Sequence, residues 1–309
     1  MGGQGGAGAT GGSGGASSTG ATGGTAPCEP PRCDAIVGIP SECIAIADNS
    51  GQTHFGLRMA QLTFQKPDVF LNPVIAGLLE VGVTMNLAEC NQTGDGTFSW
   101  LLELDTGLGT LKTGGAKPVA DPTAGYCFVN EMLGTTPVTP LVLNAAPDAD
   151  DMINVAMGGD VVIPIFLGSV ADYFLLPLRD FRILGAALSA DRNCIGVYNE
   201  DKLPLEDSCE PSGDVTRFTE AGTIDAYITL EDADAVVFDS LVQSLCVLLT
   251  GDAGDGRSPK KCSRDPGTGQ ILAKGDWCSA TDSAGGCQDS LQLTGTFAAS
   301  AVEITGECP

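Results

Sequence analysis

The spacing of apolar and polar positions shows a helical period in one stretch and a strand-like period of two in many others. The helical stretch runs from Thr229 to Gly251. There Val237, Leu241, Leu245 and Leu248, flanked by Phe238, Val242 and Leu249, make a broad apolar stripe. Asp239, Ser240, Gln243 and Ser244 fall largely on the other side. Thr229 can cap the amino end, Glu231, Asp232 and Asp234 suit its free N–H groups, and Gly251 can close the carboxyl end. The pattern predicts one long helix, about 230–250, packed on strands and tied to a neighbour through Cys246.

Before that stretch, FGLRMAQLTF (55–64) reads as a strand, and NPVIAGLLE starts a short helix with Asn72 as cap and Pro73 first inside. VTMNLAEC (83–90) and TFSWLLELD (97–105), around the turn NQTGDG, predict a hairpin, with GTLKTGG (109–115) as the next strand. Further strands are expected over 138–143, 151–156, 161–166, 173–178, 181–188, 194–198 and 223–230. Many short strands between Pro- and Gly-rich loops predict a mainly β fold, an antiparallel sandwich or barrel-like domain with the one long packed helix. Residues 1–27 carry no charge and no large side chain and read as a disordered Gly-rich tether. A Cys/Pro-rich neck follows over 28–54, and the β-rich domain over 55–309. Its tail, 251–309, shows little continuous apolar sequence, so disulfides are expected to stand in for a core there.

Charge and cysteine narrow the setting. Acidic residues outnumber basic ones 39 to 15, a net charge of −24, which argues against nucleic acid or an anionic membrane surface as partner. Basic partners or divalent cations suit such a chain better. The cysteines, Cys28, Cys33, Cys43, Cys90, Cys127, Cys194, Cys209, Cys246, Cys262, Cys278, Cys287 and Cys308, number twelve with no C-x-x-C pair, and there is a single histidine. Zinc and redox motifs are therefore disfavoured, and a disulfide framework in an oxidising compartment is expected. Local order weakly favours Cys90 with Cys127, Cys194 with Cys209 and Cys278 with Cys287.

No apolar run approaches the roughly 20 residues a bilayer requires. Met1 leads into the glycine-rich tether without a signal peptide, in conflict with the cysteines. The conflict is resolved if Met1 is not the natural start and the precursor carries an upstream export signal.

Candidate chemistry is thin. Asn91, Thr93 and Asp95 resemble the front of a calcium loop, but position twelve is Leu102. Asp148, Asp150 and Asp151 form a denser acidic cluster, and Asp252, Asp255 and Asp265 another; both are weak calcium candidates, and no other cofactor is expected. Asp105-Thr106-Gly107 has no second copy, as an aspartic protease of this length would need, and reads as a turn. Gly11 to Gly15 formally matches G-x-S-x-G, which low complexity explains. His54, without a partner histidine, reads as a solvated loop residue. Glu103 and Asp105 share a strand face and could serve a glycoside hydrolase.

Several stretches look familiar together: GDGTFSWLLELDTG at 94–107, TLKTGGAKPVADPT at 110–123, AYITLEDAD at 226–234, SLCVLLTGD at 244–252 and GDWCSATD at 275–282. They resemble a group of uncharacterised bacterial surface proteins with an export signal, a lipid-modified cysteine and a Gly/Ser/Thr-rich tether before a cysteine-containing β-rich domain. The resemblance implies location and architecture and brings no activity; the lipid-acceptor cysteine has no counterpart before this tether. The expectation is a non-enzymatic extracytoplasmic, surface-tethered protein, cell-surface or secreted, for binding, adhesion or envelope architecture, with a surface ligand or envelope component as partner. The alternative is a secreted polysaccharide hydrolase. An acidic cleft walled by Trp100 or Trp277 would favour the enzyme, and a buried Trp100 the scaffold or binder.

Overall fold

The computed structural model describes residues 39, 41–71, 85, 96–203, 216–238 and 241–308. The expected tether, the helix from Asn72, the strand over 83–90 apart from Met85, the Asn91–Asp95 loop, and Cys28, Cys33, Cys90 and Cys209 lie outside the described residues.

The first eight strands are β1 (His54–Lys66), β2 (Ser99–Asp105), β3 (Thr110–Ala116), β4 (Tyr126–Phe128), β5 (Glu131–Leu133), β6 (Thr136–Val138), β7 (Leu141–Asn144) and β8 (Met152–Ile153). Next come β9 (Gly159–Ser169), β10 (Asp172–Leu184), β11 (Ala186–Ala187), β12 (Cys194–Ile195), β13 (Val197–Tyr198), β14 (Phe218–Thr219) and β15 (Gly222–Thr229). Helix α1 (Leu230–Ala235), strands β16 (Val237–Phe238) and β17 (Gln243–Ser244), helix α2 (Leu245–Thr250), and strands β18 (Ser290–Val302) and β19 (Ile304–Glu307) complete the order.

One sheet dominates, in the order β19-β4-β3-β2-β1-β18-β15-β10-β9, with β7 also on β3 and β12 also on β18. Its pairings are antiparallel except for β19 with β4. The mainly β expectation holds, and the sheet curls until β9 meets β3. At that closure a Cβ on Gly115 would stand 2.7 Å from Pro164, so only glycine lets the two strands approach.

The pattern along each strand explains the curl. β15, GTIDAYIT, alternates buried and half-buried positions without a break. β10 buries Phe174, Leu176 and Leu178, then Phe181 and Ile183. A bulge at Arg179–Asp180, with Asp180 at φ 49°, inserts the residue that keeps both sets facing inward. The sequence reading took this stretch as two strands because a bulge inverts the alternation. β2 is apolar nearly throughout because both its faces are covered: Trp100, Leu102 and Leu104 enter the main core, and Leu101 packs with Tyr126, Phe128 and Val302 on the other side.

Two expectations are corrected. The long helix over about 230–250 does not form, and no described helix reaches seven residues. Both outer caps are as read: the Thr229 hydroxyl accepts from Asp232 N–H, and Gly251 is left-handed. Between them the β-branched and aromatic run Val236, Val237, Phe238 leaves the helix and pairs back on Gln243 and Ser244. Ser244 then caps a second helix, and its hydroxyl also donates to the buried Asp234 carboxylate at 2.8 Å. The second correction is to the tail: residues 290–302 form a strand at the middle of the sheet, between β1 and β15, with Leu291, Leu293, Phe297, Ala298, Ala299, Ala301 and Val302 buried.

Four disulfides are described: Cys43–Cys194, Cys127–Cys308, Cys246–Cys262 and Cys278–Cys287. The last was expected. Pairing of Cys90 with Cys127 and of Cys194 with Cys209 is overturned, because sheet order places Cys308 beside Cys127 and packs the segment before β1 against Cys194. No cysteine among the described residues is free.

Candidate functional site

The carboxylates that could have served a hydrolase are committed elsewhere. Glu103 on β2 meets His54 at the start of β1, with Nε2 to Oε1 at 3.1 Å. His54 is thus a strand residue with a carboxylate partner, contrary to the loop reading, and its side chain stays 60% exposed. Asp105 Oδ1 accepts from Leu108 N–H at 2.9 Å and shapes the β2–β3 turn. Trp100 is 1% exposed, donates to Thr113 Oγ1 at 2.9 Å, and packs beside Phe98 and Phe181. Trp277 is half-buried and bridges to Ser290 in backbone pairing; its indole N–H has no partner among the described residues. Trp100, being buried, walls no open cleft.

The aspartate clusters organise loops. Asp148 Oδ1 accepts from the N–H groups of Asp150 and Met152, while Asp151 takes a left-handed φ of 55°. Asp252 Oδ1 accepts from Gly254 N–H and from the N–H and hydroxyl of Ser263. Burial opposes ionisation of Asp252, but those donors outweigh it and hold the carboxyl below its usual range. Asp255 is lowered first by Arg257 N–H, and Asp265 first by Thr268 N–H. The three side chains serve different turns, with no shared ligand geometry between them.

Two further groups bring sulfur and carboxylate atoms within 4.8 Å of one another: Asp234 with Cys246 and Cys262, and Asp289 with Cys278 and Cys287. Their sulfurs are joined in disulfides, which removes the thiolates a metal would need.

On the outer face of β9, β10 and β15, Arg179 bridges Asp232 at 3.0 Å and Asp160 at 2.7 Å, and these contacts, Asp232 first, push its pKa up. Burial, then the charges of Asp282 and Asp160, push the neighbouring Tyr227 phenol up. The depression beside this pair, between Pro137, Asp160, Pro177 and Arg179, holds about 120 Å³. Ligand pockets usually measure roughly 300–1,000 Å³. Arg264 spans Glu231 and the buried Asp234 in the same manner, one charge network closing α1 on to the loop beyond α2.

One constellation escaped the sequence reading. Lys112 on β3, Asn130 just beyond β4 and Glu307 on β19 converge on one carboxylate. Lys112 Nζ lies 3.0 Å from Glu307 Oε1, and Asn130 Nδ2 donates to Oε2. The lysine contact, then the asparagine, holds the Glu307 carboxyl below its usual range. Lys112 Nζ also sits 4.8 Å from the centre of the Phe128 ring. Only the chain's long-range pairing assembles this trio, so no local motif announces it. No family model, curated protein or solved structure matches this chain, and its fold and its candidate site stand on their own geometry.

Proposed function

We propose that the chain is a non-enzymatic extracytoplasmic protein whose disulfide-stapled β domain binds a surface ligand or envelope component. The observation that carries this reading is the burial of Trp100, together with the commitment of Glu103 to His54 and of Asp105 to its turn. A polysaccharide hydrolase needs two free carboxylates facing a sugar-wide cleft, and these residues support a scaffold instead. The four bridges call for an oxidising environment, and no described helix is long and apolar enough to cross a membrane. Surface rather than medium as the final location, a lipid anchor, and kinship with tethered bacterial surface proteins belong to the same proposal, supported by the sequence resemblance.

Two measurements test it. Incubation with a panel of soluble polysaccharides should release no reducing ends above those of the Glu103→Gln, Asp105→Asn double variant; a difference between the two proteins would establish the hydrolase. Protease treatment of intact cells producing the natural precursor should remove the domain, and full protection would refute the surface location.

A further inference from the structure

We propose that Lys112 and Asn130 become joined by an intramolecular isopeptide bond, with Glu307 as the catalytic group. The proposal concerns this chain's own maturation and is independent of what the domain binds.

The bond requires an amine, a primary carboxamide and a carboxylate that touches both. Here the two oxygens of one carboxylate are divided between them: Oε1 faces Lys112 Nζ at 3.0 Å and Oε2 receives Asn130 Nδ2. The three side chains come from neighbouring, immobilised backbone. Lys112 lies within β3, paired with Glu103 on one side and Val142 on the other. Asn130 follows the buried Phe128 by two residues, and Glu307 stands in register with Phe128 across the β4–β19 pair. That pair is locked by the Cys127–Cys308 disulfide and by the Cys308 N–H donating to Phe128 O at 2.8 Å. Holding both reactants in place replaces an encounter by a first-order step, an advantage equivalent to molar concentrations of about 10⁵ M or more in well-aligned cases.

The chemistry balances without any oxidant or reductant. Glu307 takes a proton from the Lys112 ammonium, and the free Nζ attacks Asn130 Cγ. The tetrahedral intermediate collapses as Glu307 returns the proton to Nδ2; the Cγ–Nδ2 bond breaks and ammonia leaves, the second Nζ proton passes to Glu307 and on to the departing ammonia as ammonium, and the neutral Nζ–Cγ amide remains. In the resting state the Lys112 contact keeps Glu307 ionised, so the carboxylate stands ready to receive the ammonium proton before attack. The face of Phe128 beside Nζ supplies an apolar wall on one side of the amine. Lys112 is shielded to 21% exposure and Glu307 to 44%, which makes this a rim site in which water competes for the carboxylate. The linkage is therefore expected to complete over hours of maturation rather than during folding.

The test is an intact mass of the purified full chain after reduction and unfolding. The matured protein should weigh less than its sequence by one ammonia, about 17 Da, and digestion should yield one branched peptide containing both Lys112 and Asn130. Glu307→Gln and Lys112→Arg should each restore the full mass while the four described disulfides still form, which shows that the fold is intact. A full mass in the matured wild-type protein overturns the proposal. So does an ammonia loss confined to an unbranched Asn130 peptide, the signature of a succinimide, and so does a branched peptide that persists in Glu307→Gln.

Discussion

The curled sheet and the stretch from Gly251 to Asp289 are ordered by different physics. In β15 and β10 burial of alternate side chains, and in β1 and β18 runs of consecutive buried residues, supply the order over long paired strands. Between 251 and 289 there is no strand, only isolated bridges such as Arg264↔Ile271 and Cys278↔Ser283. Two disulfides and a series of aspartates hold that stretch, each carboxylate accepting N–H groups from residues close by in its own loop. The first mechanism acts across the whole molecule, whereas the second acts over a few residues. A chain poor in large side chains can therefore keep its core in the strands and lay a loop-rich face over it with local polar staples.

The sharpest way to break this contrast is to empty the core. Phe297→Ala, in the middle of β18, should cost about 3–5 kcal/mol in urea unfolding and act on every probe at once. A loss under about 1 kcal/mol would mean that the sheet is not the main source of stability. Removing the Cys246–Cys262 staple, a separation of 16 residues, should cost about 3 kcal/mol. Hydrogen exchange in that variant should rise over 245–265 first. Gly275→Ala would bring a Cβ to within 1.7 Å of Ser290 O. It should cost about 1–3 kcal/mol, freeing the 275–289 loop while β10 keeps its protection.

Acid should separate the regions more gently. Burial opposes ionisation of Asp289, but the Ser279 hydroxyl and N–H outweigh it, and its pKa in the fold is depressed. A depressed carboxyl contributes fully above its unfolded value, near pH 4, and loses that contribution as pH falls through the folded value. Asp252 and Asp265 follow the same sign. Exchange measured between pH 5 and pH 2 should therefore show the 251–289 loops opening before the sheet. The smallest effect expected is that of calcium: with Asp148, Asp252 and Asp265 already taken by backbone donors, millimolar calcium should leave Tm unchanged. A rise of several degrees would show that the loops rearrange around the ion.

Strands β1, β2, β3 and β15 were legible because alternation or a long apolar run marked them directly. The two end caps at Thr229 and Gly251 were legible for the same local reason. What lay between them was not, since Ser244 could be a helix-face residue or a second cap, and the choice is made at the buried Asp234, which Cys262 and Arg264 from beyond the stretch also bind. β18 was hidden by its composition: TGTFAASAV is low in bulk, yet a Cβ on Gly295 would press within 2.9 Å of Thr63 O. Small residues read as loop in sequence but serve here for close strand approach. The Lys112, Asn130 and Glu307 trio was illegible because its members lie 195 and 177 residues apart.

The position of β18 also dictates when the molecule can come into being. Its neighbours β1 and β15 are made long before it, and β1 meets it through the pairing of Gly56 with Val302. During synthesis the two earlier strands wait with open edges, and the curled sheet cannot close until β18 emerges. Such late, distant pairing makes folding slow and exposes the nascent chain to aggregation. It also keeps the nascent chain threadable, since the lock between β1 and β15 is not set before β18 arrives.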